Sequence, residues 1–147
     1  MTLSEWSYTA TVTAAVLYLV AFALHSFEWS SARGLAAARP GDGSEDAARV
    51  RVDFYGRLGL MVTGLSAVLH VAGVVLRGVA AQRPPWGNMY EFITTALAFV
   101  VLIYLVCAVR FGMRWLGLGV TLILTVGLGL AVTQFYVARA PLMPELH

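Results

Sequence analysis

Residues 83–92 read RPPWGNMYEF and form a polar, proline-rich break in the middle of a very apolar sequence. The two adjacent prolines cannot lie inside a helix, because proline lacks a backbone N–H and clashes with the preceding turn. Asn88 and Glu91 have the spacing of a capping box, in which each side chain accepts from the other residue's backbone N–H. The apolar run 89–109 follows directly. The stretch therefore predicts the end of a rigid loop and the start of a membrane helix.

The composition is that of an integral membrane protein. The 147 residues are 59% hydrophobic and 12% charged, with a mean hydropathy of +0.76, whereas soluble domains are about 25% charged. All ten basic residues are arginine and the net charge is only +2, so the sequence lacks the electrostatic footprint of a nucleic-acid-binding protein. The single cysteine, Cys107, rules out an intrachain disulfide and a CxxC redox pair.

Four apolar stretches are long enough to cross the roughly 30 Å hydrocarbon core of a bilayer as helices. The sequence therefore predicts an all-α, polytopic membrane protein with a single membrane domain over 1–147. The predicted spans are about 8–27, 58–79, 89–109 and 115–137, joined by a polar loop at 28–57 and a second loop at 80–88. In the polar loop, Ser44 is the expected N-cap of a short interfacial helix from about 45 to 55.

The arginines predict the orientation of the chain. Seven lie in the loop 28–57 and the connection 110–114, against three on the opposite side. The positive-inside rule places the side with more arginines in the cytoplasm. Both termini and the 80–88 loop are therefore expected outside, in a multi-pass protein of the plasma membrane.

His70 is the leading candidate for a functional residue. It lies near the middle of the second span, and an ionisable side chain at that depth indicates function by default because burying it is costly. It could ligate haem iron, relay protons or hydrogen-bond a neighbouring helix. The alternative is a bond to a backbone carbonyl or to a nearby hydroxyl such as Thr63 or Ser66.

His25 is a weaker candidate, because it lies near the predicted cytoplasmic interface, where a polar ring costs little. The first helix runs inward and the second outward. At 1.5 Å per residue, the predicted spans place His25 and His70 about 15 Å apart in depth. Two axial ligands of one iron must approach far more closely, so the two histidines are not expected to hold the same haem.

Three side chains near the 80–88 loop complete the candidates. Glu91 either caps the third span or pairs with an arginine or a substrate. Trp86 either stacks on a flat ligand such as a porphyrin or belongs to the interfacial aromatic belt. Arg77 is expected to snorkel to the interface. The sequence contains no recognisable hydrolytic triad, phosphate loop or thiolate metal site, so no catalytic residue is predicted.

The break also resembles a known family motif. In CcsA/ResC-type cytochrome c biogenesis proteins, a loop that opens a helix reads approximately (hydrophobic or Pro)-x-x-Asn-(Met or Leu)-Tyr-Glu. The upstream residues Leu69-His70 and Leu76-Arg77-Gly78 are similar to the actinobacterial branch, whose members are often labelled CcsB. The residues that carry the motif here are Pro85, Trp86, Gly87, Asn88, Met89, Tyr90 and Glu91.

This resemblance implies a membrane subunit of the system II cytochrome c maturation machinery, with haem as its cofactor. Such proteins accept haem at the cytoplasmic side and present it outside to the CxxCH motif of apocytochrome c. They work with a partner subunit that carries a large external domain. The chain would be at most a part of a holocytochrome c synthase complex, and His70 and Trp86 are the candidate haem-binding residues.

The resemblance covers the whole chain, which is similar to the N-terminal part of such proteins. The family's Trp-rich external motif, its flanking external histidines and its late membrane histidine are absent from the 147 residues. The tail PLMPELH at 141–147 resembles the segment just ahead of the first external histidine. We therefore expect a truncated sequence that lacks the haem-presenting site, and His147 is given no ligand role.

Two other functions compete with this prediction. A b-type electron-transfer protein would need two histidines at matched depth on facing helices, which the depth of His25 and His70 disfavours. A cofactor-free four-helix scaffold or transporter subunit needs no ligand at all. Loss of c-type cytochromes on deletion distinguishes the family function from the scaffold.

Overall fold

The computed structural model describes residues 2–39, 41, 43–82, 84 and 87–135, apart from the side chain of Phe135, and contains no strand within them. Four helices are long and apolar enough to cross a membrane, which confirms the predicted all-α, four-span class. The elements are α1 (Leu3–Ala37), α2 (Ser44–Ala81), α3 (Met89–Phe111), a 3-10 turn (Arg114–Leu116), α4 (Gly117–Leu130) and a π-helical turn (Ala131–Phe135).

The first helix is much longer than the span predicted for it. Helix α1 begins at Leu3 because Thr2 and Glu5 form a capping box, with hydrogen bonds of 2.8 and 3.1 Å. Its 35 residues extend about 52 Å at 1.5 Å per residue, well beyond the hydrocarbon core. Residues 28–37, predicted as loop, are helical and continue α1.

The second helix also absorbs most of the predicted polar loop. No separate interfacial helix exists over 45–55, because α2 runs without a break from Ser44 to Ala81. The N-cap is Gly43, with a φ of 84°, rather than the predicted Ser44. Two surface ion pairs at i,i+4 spacing stabilise the polar first half of α2, as such pairs do on isolated helices. They are Glu45–Arg49 at 2.6 Å and Asp53–Arg57 at 3.1 Å.

Helix α3 begins at Met89, the residue that the sequence predicts. The Asn88 side chain accepts a hydrogen bond of 2.8 Å from the backbone N–H of Glu91. The helix ends at Phe111, and its C-cap is Gly112, whose φ of 66° favours glycine and turns the chain towards α4. Both ends of α3 are therefore set by local chemistry.

Removal of the Asn88 cap is expected to destabilise the protein modestly. The change Asn88→Ala leaves the Glu91 N–H without its side-chain acceptor, which should lower the free energy of unfolding by about 1 kcal/mol. Thermal unfolding in detergent, followed by circular dichroism, measures this loss. Asn88→Asp keeps an acceptor oxygen and should remain close to wild type; equal losses in the two variants would contradict the capping role.

The four helices form a ring in which α1 packs against α2 and α4, while α3 closes the ring between α2 and α4. Close approach of α1 and α2 depends on small residues. The Ser7 hydroxyl donates to the carbonyl of Gly73 at 2.6 Å, where a side chain on the glycine would collide with α1. The buried apolar core comprises Ala14, Tyr18, Ala67, Leu97, Val101, Leu124 and Leu128.

The outer surface of the ring is apolar along the spans. Val68, Phe99, Ile103 and Ile123 are each more than half exposed, although they are large hydrophobic residues. Contiguous exposed surface of this kind is unfavourable in water but is the normal surface of a helix facing lipid. The fold therefore places its few polar side chains inward, where the candidate site lies.

Candidate functional site

Three layers of buried polar side chains cross the interior of the described bundle. The first layer lies at the Arg-rich end of the bundle, where α1 ends, α2 begins and Arg114 starts the fourth span. The middle layer contains His70, and the opposite end contains Arg77 and Glu91. Each layer joins groups from different helices, and each carries at least one of the ionisable residues that the sequence predicts as candidates.

His70 in the middle layer uses both ring nitrogens. Nε2 lies 2.8 Å from the backbone carbonyl of Thr94, and because a carbonyl only accepts, Nε2–H must be the donor. Nδ1 is then the acceptor, and the Tyr18 hydroxyl donates to it at 2.8 Å. The ring is fully buried and meets the Tyr18 ring edge to face, with centroids 5.7 Å apart. These contacts join α1, α2 and α3.

The partners of His70 agree with one of the alternatives left open by the sequence, a bond to a backbone carbonyl. The hydroxyl partner is Tyr18 rather than Thr63 or Ser66, which instead donate to carbonyls of their own helix. To ligate iron, the His70 ring would have to give up one of two buried hydrogen bonds.

Removal of the Tyr18 hydroxyl tests this network. The change Tyr18→Phe keeps the ring but leaves the buried Nδ1 of His70 without a donor, which should cost about 1–3 kcal/mol of unfolding free energy. Tyr55→Phe is the matched control, because no hydrogen bond of the Tyr55 hydroxyl is found among the described residues. Thermal unfolding in detergent should separate the two variants; similar transition temperatures would count against the Tyr18–His70 bond.

At the opposite end, Arg77 is buried. The prediction that its side chain snorkels to the interface is therefore wrong. Its guanidinium is 3% exposed and lies 3.4 Å from the fully buried carboxylate of Glu91 on α3. The ring of Tyr90 packs against the guanidinium, 5.1 Å from its centroid to Cζ. A charge this deep is stabilised better by a partner on the next helix than by stretching to the interface. Glu91 thus has the arginine partner that the sequence offered as one alternative.

The Arg-rich end holds a network centred on His25. The ring is fully buried, and Nδ1 lies 3.0 Å from Oε1 of Glu28, one helical turn further along α1. The other oxygen of Glu28 accepts from Nε–H of Arg114 at 2.9 Å. Glu28 therefore connects a histidine of α1 to the arginine that begins the fourth span.

Glycines make room for this network. A side chain at Gly56 would meet Glu28 and Arg114, and a Cβ at Gly59 would lie 3.0 Å from the His25 ring. A Cβ at Gly117 would lie 2.7 Å from Nε2 of His25. Nε2 itself is buried and has no hydrogen-bond partner in the part of the chain that the structure describes.

Sequence reasoning missed the partners of His25. The His25–Glu28 spacing places both side chains on one face of a helix, and Gly56 and Gly59 share a face of α2 by the same spacing. These two signals were present in the sequence. The participation of Arg114 was not, because it depends on how the fourth span packs against α1.

The two histidines lie at different levels. His25 packs beside Gly59, and His70 is eleven residues further along α2, which corresponds to about 16 Å. This separation agrees with the depth difference predicted from the sequence. The described part of the chain contains no cluster of three or more metal-ligating side chains.

The motif residues are only partly described. Pro85 and Trp86 lie outside the described residues, so the predicted stacking of Trp86 stays a prediction. Asn88 caps α3, and Met89 is half exposed on its first turn.

Comparisons of the chain with family models, with curated proteins and with solved structures found no match.

Proposed function

We propose that this chain is a plasma-membrane subunit of the system II cytochrome c maturation machinery that handles haem for attachment to apocytochrome c. The observation that carries the proposal is the position that the polar residues of the 83–92 motif take in the helix bundle. Asn88 caps α3, and Glu91 is buried against Arg77 on the preceding span. The two polar residues of the motif thus fix the start of α3 and join it to α2, so the motif has a defined structural part in the membrane domain.

Haem enters this proposal through the resemblance of the 83–92 motif. A structural zinc site takes four protein ligands and a catalytic one usually three, and the described residues contain no such cluster. Haem brings four nitrogen ligands of its own and needs as little as one axial residue. Of the two candidate histidines, His70 has both ring nitrogens engaged, whereas Nε2 of His25 has no hydrogen-bond partner among the described residues.

The partners follow from the same proposal. A partner biogenesis subunit with a large external domain would supply the surface on which apocytochrome c is held. This chain would contribute a membrane domain to that complex, at most as a part of a holocytochrome c synthase. The helices are long and apolar enough to cross lipid, and their exposed apolar faces leave room for further transmembrane contacts.

A cofactor-free four-helix scaffold is the second candidate. Its support is that buried polar groups are largely satisfied within the bundle, through His70–Thr94, Arg77–Glu91 and Glu28–Arg114. The b-type electron-transfer function is disfavoured, because His25 and His70 are about 16 Å apart along α2.

Deletion of the gene in its native host tests the proposed function. We expect c-type cytochromes, detected by haem staining of denaturing gels, to fall to background and to return when the wild-type gene is restored. The b-type cytochrome content, read from membrane difference spectra, serves as the control and should stay unchanged. Normal c-type cytochromes after deletion would contradict the proposal and favour the scaffold.

A further inference from the structure

The outer face of α2 carries a shallow groove of about 340 Å³ at the Arg-rich end of the bundle. Its lining side chains recur at three- and four-residue intervals, so they share one face of the helix. They are Val50, Asp53, Phe54, Arg57, Leu58 and Met61. The apolar side chains of Val50, Phe54 and Met61 are each more than half exposed, so the groove opens to the surroundings of the bundle.

The groove lies at the depth where the bilayer ends. Arg114 begins the fourth span, and a Cβ added at Gly56 of α2 would collide with the Arg114 side chain. Arg57 is the next residue of α2, so it lies at the level of the lipid headgroups on that side. At 1.5 Å per residue, Met61 lies about 6 Å deeper. The groove therefore runs from the headgroup region into the edge of the hydrocarbon.

The polar part of the groove is one ion pair. Nε of Arg57 lies 3.1 Å from Oδ1 of Asp53, and both side chains are more than half exposed. A pair this exposed contributes only modest stability, so little is lost when its members engage a charged ligand. A guanidinium suits a phosphate, and a carboxylate accepts from an ammonium group. The groove thus presents one cation and one anion side by side.

A lipid suits this surface better than another protein helix does. A helix packed over Asp53 and Arg57 would remove both charges from water, and this desolvation offsets the attraction between them. A phospholipid with a zwitterionic headgroup instead offers a phosphate and an ammonium group, and its acyl chains extend into the hydrocarbon. The polarity of the groove changes in the same direction, from the ion pair to Leu58 and Met61.

We propose that the outer face of α2 binds a phospholipid with an ethanolamine headgroup in the leaflet at the Arg-rich end. The phosphate accepts from the guanidinium of Arg57, and the primary ammonium donates to the carboxylate of Asp53. The first part of an acyl chain lies along Leu58 and Met61. The site is separate from the 83–92 motif and does not depend on the proposed function.

The headgroup chemistry sets the expected selectivity. A choline headgroup has no N–H and cannot donate to Asp53. A glycerol headgroup has no cation, so its phosphate would face the carboxylate without compensation. Selectivity of this kind comes from the unfavourable contacts of the wrong ligand as well as from the favourable contacts of the right one. Phosphatidylethanolamine is therefore expected to bind several-fold more tightly than phosphatidylcholine or phosphatidylglycerol.

The test is native mass spectrometry of the delipidated full chain in detergent, titrated with these three phospholipids carrying identical acyl chains. Arg57→Gln should weaken the binding of all three several-fold. Asp53→Asn should retain binding and lose the preference for ethanolamine. Arg49→Gln is the matched control, because it breaks the same kind of exposed ion pair, with Glu45, outside the groove. Circular dichroism establishes that each variant is folded.

Three results would overturn the site. The first is equal binding of the three lipids by the wild-type chain, which indicates annular lipid only. The second is unchanged selectivity and affinity in both groove variants. The third is competition by soluble phosphoethanolamine at the same concentration as the lipid, which would mean that the apolar part of the groove contributes nothing. The deletion experiment on c-type cytochromes is unaffected by any of these results, so the proposed function is tested separately.

Discussion

Replacement of Glu91 by leucine is expected to lower the free energy of unfolding by about 3–5 kcal/mol, because the buried guanidinium of Arg77 loses its carboxylate. The Glu91→Leu variant should therefore show a large fall in thermal transition temperature in detergent. Reduced amounts in the membrane should accompany it, since proteins of marginal stability lose abundance when destabilised.

A double variant distinguishes loss of the buried ion pair from a general loss of packing. Arg77→Met combined with Glu91→Leu removes both charges and fills similar volume with apolar atoms. Such replacements of a buried pair are often neutral or stabilising, so the double variant should recover most of the lost stability. A double variant as unstable as the sum of the two single ones would show that the pair itself is not the source of the loss.

The second large effect is expected at Gly117. In Gly117→Ala the new Cβ would lie 2.6 Å from Cε1 of His25 and 2.6 Å from the hydroxyl of Tyr104. Both groups belong to rigid rings and cannot yield as a flexible chain end would. Overpacking of this kind costs about 1–3 kcal/mol, which outweighs the helix propensity gained by replacing glycine.

Gly119 provides the matched control two residues away on the same helix. A Cβ at Gly119 would meet nothing within 4 Å, so Gly119→Ala should gain up to about 1 kcal/mol from propensity alone. The two alanine variants should thus shift the transition temperature in opposite directions. A shift of the same sign in both would mean that the ring of His25 does not pack against Gly117.

The parts of the fold that follow from short stretches of sequence could be predicted. Apolar length predicts each of the four spans, and the Asn88 cap predicts where α3 begins, because both depend on neighbouring residues. The prediction of a loop at 28–57 was wrong in large part. Its charged residues pair along a helix at i,i+4 spacing, and this pattern favours a continued helix that extends beyond the bilayer.

The candidate site could be predicted only in part, because it depends on how the helices are rotated towards one another. His70 was recognised by its depth, but its partners Tyr18 and Thr94 are distant in sequence and meet only in the packed bundle. From its position in the sequence, Arg77 could either snorkel to the interface or form a buried ion pair. Only the packing of α3, which brings Glu91 next to it, decides between these two arrangements. The function of the 83–92 motif still rests on resemblance.

The three polar layers have a consequence for the order of assembly. The first two helices form a hairpin that reaches the membrane before the last two, and it contains His70, Arg77 and Glu28. Each of these residues has a partner on the second half of the chain: the carbonyl of Thr94, the carboxylate of Glu91 and the guanidinium of Arg114. The two hairpins are thus complementary halves. Until the second half packs against the first, these three groups lack the partners that it supplies, so the interhelical bonds gained on packing favour association of the two halves.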